Sequence, residues 1–178
     1  MVEFLEKHFQ QSVFLDTLSH VSDNICQDNG RNYIDFDKFK EPSCCANITK
    51  GLQSLSSVDS ILINSEKNHL IFVEFKDMDM IGDFEDIKEW IKEKDCNIKI
   101  KIPDSILLLG FFLKENGYSF DEFIALDKSF FYVYKSNSFK QKINNHLKYR
   151  LSKYQFILKD IKSIETQSYL YFLEKESL

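Results

Sequence analysis

Residues 58–76, VDSILINSEKNHLIFVEFK, constrain the fold more than any other stretch of the chain. Two short apolar runs, Ile61-Leu62-Ile63 and Leu70-Ile71-Phe72-Val73, flank the polar run Asn64-Ser65-Glu66-Lys67-Asn68. Strand-favouring residues on both sides of a turn-forming segment predict a β-hairpin. An antiparallel hairpin brings the start of its first strand beside the end of its second. Asp59 stands at the one, Glu74 and Lys76 at the other. Side chains alternate along a strand, so Glu74 and Lys76 share a face and Phe75 takes the opposite one. The pattern therefore predicts three charges meeting at one end of a sheet. Two carboxylates there can hold a divalent cation through oxygen ligands. The Lys76 ammonium can orient a water or stabilise charge that develops on a phosphate. The plainer alternative is a solvated strand end whose Glu-x-Lys pair is worth less than ~1 kcal/mol.

Asp59 followed by Glu74-Phe75-Lys76, with the apolar LIFVEF run ahead of the lysine, resembles the PD-(D/E)xK nuclease superfamily. Val58 stands where that family often has proline before the first acid. The resemblance implies a restriction-endonuclease-like αβββαβ core and a magnesium (or manganese) ion held by Asp59, Glu74 and the carbonyl of Phe75. It implies that Lys76 positions or activates the attacking water. An acid on the first helix often joins such a site, and Glu6 or Glu3 is placed to do so. The helix after the Glu-x-Lys strand often supplies a polar side chain, for which Lys101, Asp104 and Ser105 are the candidates.

The rest of the chain is read around this hairpin. Val2, Leu5, Phe9, Val13 and Leu18 recur at helical spacing and predict an amphipathic helix over 2–21. Asn29-Gly30 marks a loop. Ile34 and Phe36 alternate with Asp35 and Asp37, a half-exposed strand over 33–39 whose two acids can bind a cation or simply face water. Pro42 breaks regularity in 40–57, where Lys50 is a possible phosphate contact. Asp83 reads as the N-cap of a helix running to about Lys94. A second helix is expected from about 103 to 115, with Pro103 in its first turn and Asn116-Gly117 at its end. Lys101 and Ser105, four apart, share a face if both are helical. SFFYVY, 129–134, reads as a strand, followed by a helix over 139–153 capped by Ser138. FILKDIKSI, 156–164, is a possible strand, and Thr166 a possible cap for a last helix. The expected architecture is α/β, a mixed central sheet flanked by helices, and 178 residues suit one domain.

Charge is polarised along the chain. Residues 1–127 carry 13 basic and 24 acidic side chains, and residues 128–178 carry 10 and 4, so a net −11 stands beside a net +6. The basic part is the expected place for a phosphate backbone, contacted by Lys140, Lys142, Lys148, Arg150 and Lys153, with Lys101 and Ser105 nearer the carboxylates. A lysine-rich solvated helix face is the alternative. Cys26, Cys44, Cys45 and Cys96 include no C-x-x-C pair, and small buried thiols are expected rather than disulfides or zinc ligands. No stretch is long and apolar enough for a membrane span, and MVEFLEKHF lacks the character of a signal peptide. A cytoplasmic protein follows as the expectation.

Two functions remain open on these residues. One is a metal-dependent endonuclease acting on DNA rather than RNA, aided by a homodimer or a protein partner. The other is a nuclease-fold interaction protein without the chemistry: an immunity protein, an inhibitor or an assembly subunit.

Overall fold

The computed structural model describes residues 1–11, 14–40, 55–77, 84–135 and 140–176, with the backbone alone at 40, 84–88, 90–96, 140–144 and 150. Helix α1 (Val2–Phe9) is followed by strand β1 (Leu15–Thr17), the short helix α2 (Leu18–Val21) and strand β2 (Asn32–Asp35). A 3-10 turn covers Lys38–Lys40. The hairpin strands are β3 (Ser60–Asn64) and β4 (His69–Lys76). Helices α3 (Phe84–Glu115) and α4 (Phe120–Ala125) lead to β5 (Asp127–Tyr134), α5 (Lys140–Leu151), β6 (Asp160–Glu165) and α6 (Thr166–Glu176).

The six strands form one mixed sheet in chain order. The β1–β2, β2–β3 and β3–β4 pairs are antiparallel, and β5 and β6 run parallel to β4. The change at β4 follows from the connections. A four-residue turn joins β3 to β4, whereas helices join β4 to β5 and β5 to β6. Alternation divides the apolar residues between two faces. Leu70, Phe72, Phe130 and Tyr132 meet Leu5 and Phe9 of α1, Ile102 and Leu109 of α3, Phe123 of α4 and Leu151 of α5. Ile71, Val73, Phe75, Phe131 and Val133 meet Leu18 of α2 and Tyr169 and Leu173 of α6. The result is the expected α/β arrangement, a mixed sheet between helices.

Three expected elements differ. The helical spacing over 2–21 breaks after Phe9, and Leu15-Asp16-Thr17 instead pairs with β2 as an edge strand. The expected strand over 33–39 stops at Asp35, and the following 3-10 turn stacks Phe39 on Phe36 in the core, with ring centroids 5.3 Å apart. The two helices expected between 83 and 115 are one helix of 32 residues, about 48 Å long at 1.5 Å per residue. The expected caps Asp83 and Ser138 lie outside the described residues, as do Pro42, Cys44, Cys45 and Lys50.

Pro103 therefore sits inside a helix. It has no N–H for the carbonyl of Lys99 one turn earlier, which leaves that oxygen without its usual partner. The hydroxyl of Tyr154, in the 3-10 turn after α5, donates to the Lys99 carbonyl at 2.7 Å. Farther along α3, the missing side chain of Gly110 leaves room for the ring of Phe120 at the start of α4. Lys128, at the start of β5, is fully buried and donates to the carbonyls of Phe123, Ile124 and Leu126 at the C-terminal end of α4. A cation suits the negative end of a helix. This lysine counts toward the basic charge of the chain but has no surface to offer a partner.

Removing the Tyr154 hydroxyl leaves the Lys99 carbonyl without its donor. Tyr154→Phe should cost about 1 kcal/mol in denaturant unfolding. Pro103→Ala restores a main-chain N–H, so the same tyrosine change made in that background should cost less. Equal costs in the two backgrounds would contradict this account.

Candidate active site

Asp59 is fixed from both sides. Its carbonyl accepts the Phe36 N–H at 3.1 Å, which extends the β2–β3 ladder by one bond. The ladder between β3 and β4 ends at Ser60 opposite Val73. Beyond that pair the Phe75 N–H donates to the Asp59 side chain, at 2.7 Å from Oδ2. Oδ2 is thus committed to the backbone of the neighbouring strand β4, and Oδ1 is left for a side chain.

Glu74 lies on that strand, on the same face as Phe72 and beside Tyr132 of β5. Its side chain is only 1% exposed. An ionised carboxylate so deeply buried needs charged or hydrogen-bonding partners, and two lysines provide them. Lys76 Nζ lies 2.7 Å from Glu74 Oε1. Lys101, from α3, places its Nζ 2.8 Å from both Glu74 oxygens and 3.0 Å from Asp59 Oδ1. The four groups together are formally neutral. Burial, and then the Asp59 charge, push the Glu74 carboxyl up to about 7 against the pull of Lys101 and Lys76. Burial alone would lower the Lys101 ammonium, but Glu74 and Asp59 reverse this and hold it charged, above its ordinary value.

Helix α3 also pins the segment that leads into Asp59. Ser105 Oγ accepts the Val58 N–H at 3.0 Å, and Asp104 Oδ2 accepts the Ser56 N–H at 2.8 Å. Lys101 and Ser105, one turn apart on the helix, thus reach Asp59 and its neighbour together. On the other side of Asp59 a cleft of about 220 Å³ is lined by His20, Val21, Asp23, Asp35, Asp37 and Asp59. Asp35 caps the turn after β2, accepting the N–H groups of Asp37 and Lys38 at 3.1 and 3.3 Å. Asp37 accepts the Ser57 hydroxyl.

The structure brings Asp59, Glu74, Lys76 and the backbone of Phe75 to one place. Lys101 belongs with them, but between the carboxylates and not at an outer phosphate-contacting position. Ser105 is fully buried and spent on the Val58 N–H, so it has no surface for a nucleic acid. Glu6 is elsewhere. It lines clefts with Ile63, Asn64 and Glu66, at the turn end of the hairpin, because α1 packs along β3 toward the end opposite Asp59. Glu3, one turn earlier, faces solvent. Lys148 and Lys153 are exposed, and Lys153 Nζ lies 4.9 Å from the centre of the Tyr154 ring. Lys140, Lys142 and Arg150 lie on α5, where only their backbone is described. Lys135, Lys159 and Lys162 pair with Asp77, Asp127 and Asp160. Among the described side chains of this basic part, Lys148, Lys153 and Lys175 remain exposed outside those pairs, the first two on α5 and the turn after it. Tyr149 and Phe156, 76% and 80% exposed, stand out from that same stretch.

The carboxylate pair suits a hard divalent cation. Asp59 Oδ1 and both Glu74 oxygens already converge on one positive atom, and oxygen donors are what magnesium and manganese take. Among the described residues, no group of three or more His, Cys, Asp or Glu side chains is placed to hold a metal. A cation here would rest on two carboxylates supplemented by backbone and water. No family model, curated protein or solved structure matches the chain.

The raised Glu74 carboxyl has a consequence for stability. In the folded chain it binds a proton up to about 7, whereas its ordinary value is 4.5. Folded protein then holds more protons than unfolded protein between those values. This group's contribution is complete below the lower value and is lost as pH rises through the upper one. Glu74→Gln cannot titrate. Its stability relative to wild type should therefore improve between about pH 5 and about pH 7.5 in denaturant melts. A difference independent of pH would contradict the assignment.

Proposed function

We propose that the chain is a metal-dependent nuclease that hydrolyses phosphodiester bonds, with DNA its substrate. The observation that supports this best is the convergence of Asp59 Oδ1 and both Glu74 oxygens on a single point of positive charge, with Lys76 beside it. Nothing in sheet packing calls for two carboxylates and two ammoniums at the end of these strands. The likeness to the PD-(D/E)xK superfamily rests on the same residues and on the order of helix, antiparallel strands, crossover helix and parallel strand.

On this reading Asp59 and Glu74, with the Phe75 carbonyl, hold magnesium or manganese. The bound ion supplies Lewis acidity toward a phosphoryl oxygen and a lower pKa for its own water. Lys76 reaches from the buried Glu74 toward solvent, being 27% exposed, and its ammonium orients the attacking water or meets charge developing on the phosphate. Asp59 stays oriented because the Phe75 N–H holds its other oxygen. The lysines of α5 and Lys153 hold the phosphate backbone without reading sequence. Tyr149 and Phe156 offer exposed faces on which unpaired bases stack. A homodimer or a protein partner would supply sequence selection, and the proposed place of action is the cytoplasm.

One observation favours a second reading. Lys76 and Lys101 already satisfy both carboxylates, so the cluster is charge-balanced with no added ion. In that case the site is a structural remnant, and the chain is an interaction protein such as an inhibitor, an immunity protein or an assembly subunit.

Incubation with single-stranded DNA, duplex DNA and RNA in magnesium, manganese or EDTA separates the two. Cleavage should need the metal, and Glu74→Ala and Lys76→Ala should each lower it by about 100-fold or more. Absence of cleavage on every substrate, together with no metal binding by calorimetry, would favour the interaction protein.

A further inference from the structure

Lys101 stands where a metal would have to stand. Its Nζ is held by Asp59 Oδ1 and by both oxygens of Glu74, at 2.8 to 3.0 Å. Carboxylates draw a divalent ion closer than they draw an ammonium, so the two cations need the same small volume and the same lone pairs. The remaining Asp59 oxygen is turned toward β4 and already accepts the Phe75 N–H, so the convergence point of the two acids is at Oδ1 and the Glu74 oxygens. Lys76 cannot replace Lys101 in this role. Among the described residues its ion pair is with Glu74, and it is 27% exposed.

We propose that Lys101 is a tethered cation that competes with the divalent metal, so that the site loads only when the Lys101 ammonium leaves the Asp59–Glu74 pair. This rests on the metal-binding reading of the site given above. The lysine suits the task by its construction. Its four-carbon stem is flexible, and its charge is a compact point that can let go without moving the helix. The helix itself is held. Ser105 and Asp104 bind the 56–58 segment, and the Lys99 carbonyl is taken by Tyr154. The main chain on both sides of Lys101 is therefore tied down, and displacement is confined to the side chain. The resting site is balanced and closed, and an ion that enters through the acidic cleft beside Asp59 replaces one bound cation with another.

Manganese binding, followed by electron paramagnetic resonance of the free ion, tests this without any cleavage. Wild type, Lys101→Met and Lys101→Arg are titrated side by side. Lys101→Met should bind manganese at least ten-fold more tightly than wild type, and Lys101→Arg no more tightly. Binding by wild type with no gain in Lys101→Met overturns the competition and leaves the metal site standing. Absence of binding in wild type and Lys101→Met alike overturns both. Should Lys101→Met fail to fold, the wild-type chain decides. With lysine carbon-13 labelling, saturating magnesium should shift the Lys101 ε-carbon signal and leave that of the buried Lys128 in place. An unmoved Lys101 signal overturns the proposal.

Discussion

The structure depends on how a carboxylate is kept inside an apolar sheet face. Glu74 lies among Phe72, Tyr132 and the helices that cover them, where an unpaired charge would be costly. Lys101 and Lys76 compensate it from two directions, one from the covering helix and one from its own strand. Because Lys101 also reaches Asp59, the ion pairs join three elements: the start of β3, the end of β4 and the middle of α3. Removing Lys101 would leave two carboxylates with Lys76 alone, and removing Glu74 would leave Lys101 with Asp59 alone. For that reason the cluster supports the fold at the same place to which the proposed chemistry is assigned.

Helix α3 sets the geometry of this cluster. About 48 Å long at 1.5 Å per residue, it exceeds the roughly 27 Å of the eight-residue β4. Four successive contacts come from one stretch of it: the Lys99 carbonyl to Tyr154, Lys101 to the carboxylates, Asp104 to Ser56 and Ser105 to Val58. Pro103 lies in the middle of this stretch. A proline in a helix interior ordinarily costs about 3 kcal/mol or more, partly through the lost hydrogen bond. Here Tyr154 restores a donor for the Lys99 carbonyl, so the turn that carries Lys101 is tied to the 3-10 turn after α5. The basic stretch and the carboxylates are connected through that bond.

Residues whose partners are local were legible in the sequence. The hairpin, its alternation and the meeting of Asp59 with Glu74 and Lys76 follow from a period of two and one short turn. The α/β class follows from the order of the runs. Readings that needed a distance in space went differently. Helical spacing shows which face of α1 is buried, but not which end of the hairpin it covers, and Glu6 lies at the turn end. The apolar residues of 2–21 fit one helix until the pairing of Leu15–Thr17 with β2 is known. Pro103 suggests a helix start because propensity takes no account of Tyr154, 51 residues later in the chain. Ser105 and Lys101 were rightly placed on one face, but a polar helix face near a site is as able to bind the protein's own backbone as a ligand. Lys128 gives no sequence signal at all, since its role depends on where α4 ends.

The placement of Lys101 bears on what the two acids mean. Carboxylates kept for a metal alone would repel one another in the metal-free chain, and the strand ends would separate or take up protons. A lysine from the covering helix removes that repulsion while leaving the pair intact, so on the proposed metal-binding reading the two acids are brought together before any metal is present. On the same proposal that lysine weakens the site it preserves, because an entering ion would have to displace it. Stability without the ion and affinity for it are opposed through a single ammonium. The acidic cleft beside Asp59 acts in the other direction. Asp23, Asp35 and Asp37 line a cleft with Asp59, and carboxylates gathered in a cleft favour cations there.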